Sequence, residues 1–130
     1  MTPEEIISAD YRTNHQGREY SQQQAQAVFQ KYLQNGGKHV VFGRTMFLIK
    51  PLDRSTVEFH TINGGNEVDL VNGVNQLMQV LSQHFSRAVT YYDNPRINDL
   101  LVHASFPHSA HKVDQGRDRT YELIFDLRGA

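Results

Sequence analysis

Glu58 and His60 are the two residues whose types and spacing best suit chemistry. They stand two apart in the run Thr56 to Ile62, where Val57, Phe59 and Thr61 alternate with Glu58, His60 and Ile62. Alternation at period two marks a strand, and residues two apart on a strand project from one face. A carboxylate beside an imidazole can take up a proton and hand it on near neutral pH. The same spacing also suits a half-exposed strand that turns its polar residues to solvent, and the pattern leaves both readings open.

The segment that follows, Asn63-Gly64-Gly65-Asn66, leads into a helical pattern. Backbone N–H groups at a helix start attract anions, and adjacent glycines let a ligand approach the backbone. Glu67 and Asp69 fall in the same first turn. They stabilise the helix by about 0.3 to 1 kcal/mol each, and they also oppose a bound anion, so a plain turn is the competing reading. His108 and His111 sit at a strand entry. Residues three apart on a strand point to opposite faces, and no nearby carboxylate completes a set of ligands, so no metal is expected. No serine lies in a Gly-x-Ser-x-Gly elbow and no phosphate-cradling Walker loop exists, which leaves hydrolase and nucleotidase readings without a motif.

Composition narrows the rest. The 130 residues are 38% hydrophobic and 21% charged, the profile of one folded domain. Lys and Arg total 13 against 14 Asp and Glu, a formal charge of -1, so no net field draws the chain to nucleic acid or an anionic membrane. Cysteine is absent, which removes disulfides, thiolate ligands and a cysteine nucleophile. The longest apolar run is Met46 to Ile49, against roughly 20 residues needed to cross a bilayer. The acidic start MTPEEIISAD lacks the basic and apolar regions of a signal peptide. A soluble, cytoplasmic protein is expected, and the sequence is compatible with an oligomer.

These residues need elements to hold them. A short helix is expected near Pro3 to Ser8, then a polar loop over residues 10 to 24. Ser21 can cap a second helix whose inward stripe is Ala25, Val28, Phe29, Tyr32 and Leu33, with Asn35-Gly36-Gly37 as its stop. The period then turns extended. His39 to Phe42, Thr45 to Lys50 and Thr56 to Ile62 form an antiparallel meander, with turns at Gly43-Arg44 and at Pro51 to Ser55. A helix from Glu67 to Phe85 follows, with Leu70, Val74, Leu77, Met78, Leu81 and Phe85 on one stripe. Gly73 weakens that helix by roughly 1 kcal/mol against alanine and so marks a close contact. Arg87 to Tyr92 is a strand. Asp93-Asn94-Pro95 opens another helix, with Ile97, Leu100 and Leu101 inward. Ser109 to Val113 and Arg119 to Leu127 close the chain as a hairpin across Asp114 to Arg117, with Tyr121, Leu123, Phe125 and Leu127 on one face. The strand, helix, strand order implies a right-handed parallel crossover. One domain spans 1–130, with a helical part at 1–37 and a sheet-forming core at 38–128.

This element order resembles that of the GNAT family of N-acetyltransferases. The stretch from Asn94 to Phe106 adds to the likeness: Asn94, Leu100 and Phe106 match the family's pattern, while Ile97, Leu101, His103 and Ser105 stand where Ala, Tyr, a basic residue and Gly are usual. The resemblance implies an α/β fold with a mixed sheet: meander, helix, splayed parallel strand pair, helix and C-terminal hairpin. It implies acetyl-CoA in the gap between Val57 to Ile62 and Arg87 to Tyr92. Ile62, Asn63, Gly64, Gly65, Asn66 and Asn94 would then be the cofactor-binding residues. Glu58 and His60 would serve as base. Leu101 occupies the place of the usual acid, so Tyr91 or Tyr92 would substitute, Tyr92 being the choice here. The altered loop implies weak or lost acetyl-CoA binding. The compact chain is similar to small acetyltransferase-like proteins of tailed bacteriophages, some of them virion components. That likeness implies a role through protein contacts with a virion or host protein, in the host cytoplasm or the virion. The alternative is an active acetyl-CoA-dependent N-acetyltransferase acting on an amine substrate.

Overall fold

The computed structural model describes residues 1–14, 21–92, 107–113 and 120–128. Its elements are α1 (Pro3–Asn14), α2 (Gln22–Gln34), β1 (Lys38–Phe42), β2 (Thr45–Pro51), β3 (Thr56–Asn63), α3 (Glu67–Leu81), β4 (Arg87–Tyr92), β5 (His108–Val113) and β6 (Thr120–Asp126). The strands form one sheet in the order β1-β2-β3-β4-β6-β5. The pairs are antiparallel except β3 with β4, which run parallel. The expected mixed sheet is therefore present. The expected helix with Ile97, Leu100 and Leu101, the motif from Asn94 to Phe106 and the turn at Asp114 to Arg117 lie outside the described residues.

Alternation divides the sheet into two faces, each with its own core. Phe47, Val57, Phe59, Ala88, Leu123, Phe125 and Leu127 meet Val74, Leu77, Met78 and Leu81 of α3. On the opposite face Met46 and Leu48 meet Ile6, Ile7 and Phe29 of α1 and α2, with Tyr32, Val41 and Ile62 packed beside them. The stripe of α3 thus covers one face as its spacing predicts. Gly73 is the close contact expected of it. A Cβ there would come within 3.2 Å of the Thr45 Cβ and 3.3 Å of the Phe47 ring.

The departures from expectation have local causes. Helix α1 runs to Asn14 instead of stopping at Ser8. Thr2 and Glu5 cap it reciprocally, and of the polar residues read as loop Arg12 and Thr13 are exposed. The loop over 10 to 24 is accordingly cut at both ends, because Ser21 caps α2 in a capping box with Gln24. Two glutamines of α2 tie the helices together: Gln22 donates to the Ser8 hydroxyl at 2.6 Å and Gln26 to the Glu4 carbonyl at 3.1 Å. Val28 is 65% exposed, so it leaves the inward stripe that Phe29, Tyr32 and Leu33 keep. Helix α3 ends at Leu81, short of Phe85, where the Ser82 hydroxyl turns back to the Gln79 carbonyl. Phe85 still reaches the α3-side core.

Candidate functional site

The parallel pair β3 and β4 is short. Its rungs are Thr56 with Arg87, Val57 with Ala88 and Glu58 with Val89. Beyond Glu58, β3 stays paired to β2 as far as Asn63, and beyond Val89, β4 stays paired to β6 as far as Tyr92. Each strand follows its outer neighbour, so the two part and leave a gap between His60 to Asn63 and Thr90 to Tyr92. Glu58 stands on the last shared rung and His60 just past it, at the fork.

Both project from the α1/α2 face, as their spacing requires. His60 Nε2 and Glu58 Oε1 are 3.1 Å apart, with the side chains 42% and 24% exposed. Tyr32 of α2 meets the imidazole edge to face at a centroid distance of 5.7 Å. Gly37 holds Tyr32 in place: its N–H donates to the Tyr32 carbonyl at 3.0 Å, and a Cβ at this position would collide with the phenol ring. The Tyr32 hydroxyl is buried and has no hydrogen-bond partner. Burial, then the negative field of Glu58, pushes the phenol up to about 12, so it remains a protonated donor throughout the neutral range.

The two candidate tyrosines on β4 part company. Tyr91 is opposite Glu122 in the β4/β6 register, on the face of Glu58, and its hydroxyl donates to Glu122 Oε2 at 3.0 Å. Burial first, then that hydrogen bond and the fields of Glu122 and Glu58, raise its pKa. Tyr92 faces the other way, on the α3 side, stacked on Tyr121 at 5.5 Å and 14°. The structure therefore brings Glu58, His60, Tyr32 and Tyr91 together and leaves Tyr92 across the sheet from them. Tyr32 and Glu122 were not singled out in the sequence. Tyr32 belongs to an apolar helix stripe, which disguises a polar tip, and Glu122 gains meaning only through its register with Tyr91.

The glycine loop folds onto itself. Asn63 Oδ1 accepts the Thr45 hydroxyl at 2.9 Å and the Gly65 N–H at 3.0 Å, while its Nδ2 donates to the Asn66 carbonyl at 3.0 Å. Gly64 donates to the Arg44 carbonyl at 2.8 Å. A Cβ at Gly64 would come within 3.2 Å of the Arg44 carbonyl oxygen and the Ile6 Cα and 3.3 Å of the Ala9 Cβ, a tight fit against α1. Asn66 and Asp69 cap α3 reciprocally, each side chain accepting the other's N–H at 2.9 Å. The amides of Gly64, Gly65, Asn66 and Asp69 thus have internal partners. Ile62 packs into the α1/α2-side core, and Asn94 lies outside the described residues.

A cavity of about 700 Å³ at the other end of β3 and β4, lined by residues including Thr56, Arg87, Ser109 and Asp126, is separate from the fork. Histidines 108 and 111 pair with Phe125 and Glu122 respectively, which puts them on opposite faces as their spacing predicts.

Solved structures resemble this arrangement along nearly its whole length. An acetyltransferase from Streptococcus agalactiae has a TM-score of 0.59 at 13% identity, covering 95% of this chain and 92% of its own. The chain has the GNAT acetyltransferase fold. Two forms of the Vibrio cholerae spermidine N-acetyltransferase SpeG, a chimera with hSSAT and a point mutant, each give a TM-score of 0.56 at 11% identity. Each covers 98% of this chain, against 95% and 92% of their own. No protein-family model and no curated protein matches the sequence. No described helix is long and apolar enough to cross a membrane.

Tyr32 can be tested directly. Tyr32→Phe removes a buried hydroxyl that has no partner and leaves the ring in place. It should keep stability unchanged or raise it by up to about 1 kcal/mol, read by calorimetry near neutral pH. The folded-state phenol lies above its unfolded value, so its contribution is complete below pH 10 and is lost as pH climbs towards about 12. The variant should accordingly lose less stability than wild type across that interval.

Proposed function

We propose that this GNAT-fold protein acts through protein contacts, with acetyl-CoA binding weak or lost and catalysis lost with it. The observation that carries the proposal is the closure of the glycine loop by its own side chains. The Asp69 carboxylate already occupies the Asn66 N–H at the start of α3, where an anion would bind, and Glu67 adds a second negative charge in that turn. Fold alone does not decide function, so the reading rests on these residues. Within it, the partner is a virion or host protein of a tailed phage. Support comes from the resemblance of the sequence to small phage-encoded acetyltransferase-like proteins.

A second reading, an active N-acetyltransferase working on an amine such as a polyamine, has one observation in its favour. The Glu58 and His60 pair stands at the mouth of the gap with its side chains in contact, positioned to take a proton from an ammonium group. Acetyl transfer from acetyl-CoA to a panel of primary amines, polyamines included, separates the two readings. No transfer above the uncatalysed rate is expected. Glu58→Gln should then change stability by less than about 0.5 kcal/mol. Transfer that falls roughly 100-fold in Glu58→Gln would replace the contact reading with the enzymatic one.

A further inference from the structure

Asparagine precedes glycine at three places, Asn35-Gly36, Asn63-Gly64 and Asn72-Gly73. In such a pair the glycine nitrogen can attack the asparagine side chain, because no Cβ stands in the way of its approach. The attack needs a free amide at glycine and a backbone able to turn, and the fold supplies both at one pair. Gly73 lies inside α3, where each N–H is held by the carbonyl four residues back. Gly64 donates to the Arg44 carbonyl at 2.8 Å, and the Asn63 side chain is fixed by Thr45, Gly65 and the Asn66 carbonyl. Asn35 and Gly36 are exposed at the end of α2. The Gly36 N–H has one long bond, 3.3 Å to the Leu33 carbonyl, and the Asn35 side chain has no hydrogen bond among the described residues. A Cβ on Gly36 would meet nothing within 4 Å, so the turn has room to rotate.

We propose that Asn35 is a site of spontaneous deamidation and isomerisation, and that the isoaspartyl product resets the turn holding Tyr32. The step needs only water and base. Hydroxide takes the proton of the Gly36 amide, the nitrogen bonds to Asn35 Cγ, and the Cγ–Nδ2 bond breaks to release ammonia, leaving a cyclic imide. Water then opens the ring. Cleavage between the Gly36 nitrogen and Cγ gives aspartate. Cleavage between that nitrogen and the main-chain carbonyl carbon of residue 35 gives isoaspartate, whose main chain runs through Cβ and Cγ and is one methylene longer. Both products put a negative charge at the C-terminal end of α2, where the helix dipole opposes it. Isoaspartate alone also lengthens the path to Gly37, whose N–H bond to the Tyr32 carbonyl and close approach to the phenol keep that ring against His60. This chemistry is the same whether the protein works by contact or by catalysis.

The test is incubation of the folded chain in mildly alkaline buffer, followed by peptide mapping that separates asparagine, aspartate and isoaspartate at the positions of Asn35, Asn63 and Asn72. Conversion of Asn35 is expected to be about tenfold or more faster than at either other pair, since each native hydrogen bond that must open first slows the attack. It should quicken as pH rises. In urea the three pairs should convert at similar rates, and Asn35→Gln should remove the fast product. Protein carrying isoaspartate at this position, separated by anion exchange, should show shifted His60 ring resonances in NMR spectra. Asn35→Asp, with the charge and no added methylene, should keep them in place. Conversion of Asn63 or Asn72 as fast as Asn35 in the folded chain, or an equal preference for Asn35 in urea, would overturn the assignment of the site to the fold. His60 resonances alike in the isoaspartyl and Asn35→Asp proteins would overturn the link to Tyr32.

Discussion

Phe59→Ala should destabilise the protein by about 3 to 5 kcal/mol, lowering the Tm by roughly 10 to 20 °C for a chain of this size. Phe59 is 1% exposed at the centre of the sheet. Its ring contacts Phe47 of β2 and Phe125 of β6 at centroid distances of 6.2 and 6.0 Å, so one side chain links both halves of the sheet under α3. Truncation loses the buried area and leaves a cavity that three neighbouring elements cannot close together. Thr61→Ala, on the same strand and exposed, should stay within about 0.5 kcal/mol. Urea unfolding of the pair measures the difference. A Phe59→Ala loss under about 1 kcal/mol would mean that the core is not organised around this ring.

The combined change Glu67→Ser and Asp69→Gly should raise affinity for acetyl-CoA about tenfold. It removes two negative charges from the first turn of α3 and releases the Asn66 N–H from the Asp69 carboxylate, and an amide bond to a charged group contributes about 1.5 to 3 kcal/mol. The gain is reduced because glycine at 69 costs the helix its cap, about 1 kcal/mol of stability. The expected variant is therefore slightly less stable than wild type and binds the cofactor better. Calorimetry on both proteins checks this. Unchanged or weaker binding would show that the loop's own bonds and charges are not what limits affinity.

How much of this was legible in the sequence differs by element. The meander, α3 and the alternation of Val57 to Ile62 could be read because apolar spacing there is unbroken, and that alternation was enough to put Glu58 and His60 together. The extent of α1 was hidden because its buried side chains are two isoleucines near its start, and its remaining turns are polar. The loop's carboxylates were visible as charges, yet their role as acceptors for Asn66 and α3 depends on backbone geometry that composition does not carry. The choice between Tyr91 and Tyr92 turned on one residue of register. Only three rungs join β3 to β4, and a shift of one position exchanges the faces. The sequence pattern supports either tyrosine equally, whereas the pairing of Tyr91 with Glu122 selects one for the face of Glu58.

The most direct test of the closed loop is calorimetric titration of the wild-type chain with acetyl-CoA. With the amides of Gly64, Gly65, Asn66 and Asp69 already bonded within the protein, no saturable binding is expected in the micromolar range. Heat that fits a single site with a Kd of micromolar order, about -8 kcal/mol of binding free energy, would contradict the account and make the loop a working cofactor site.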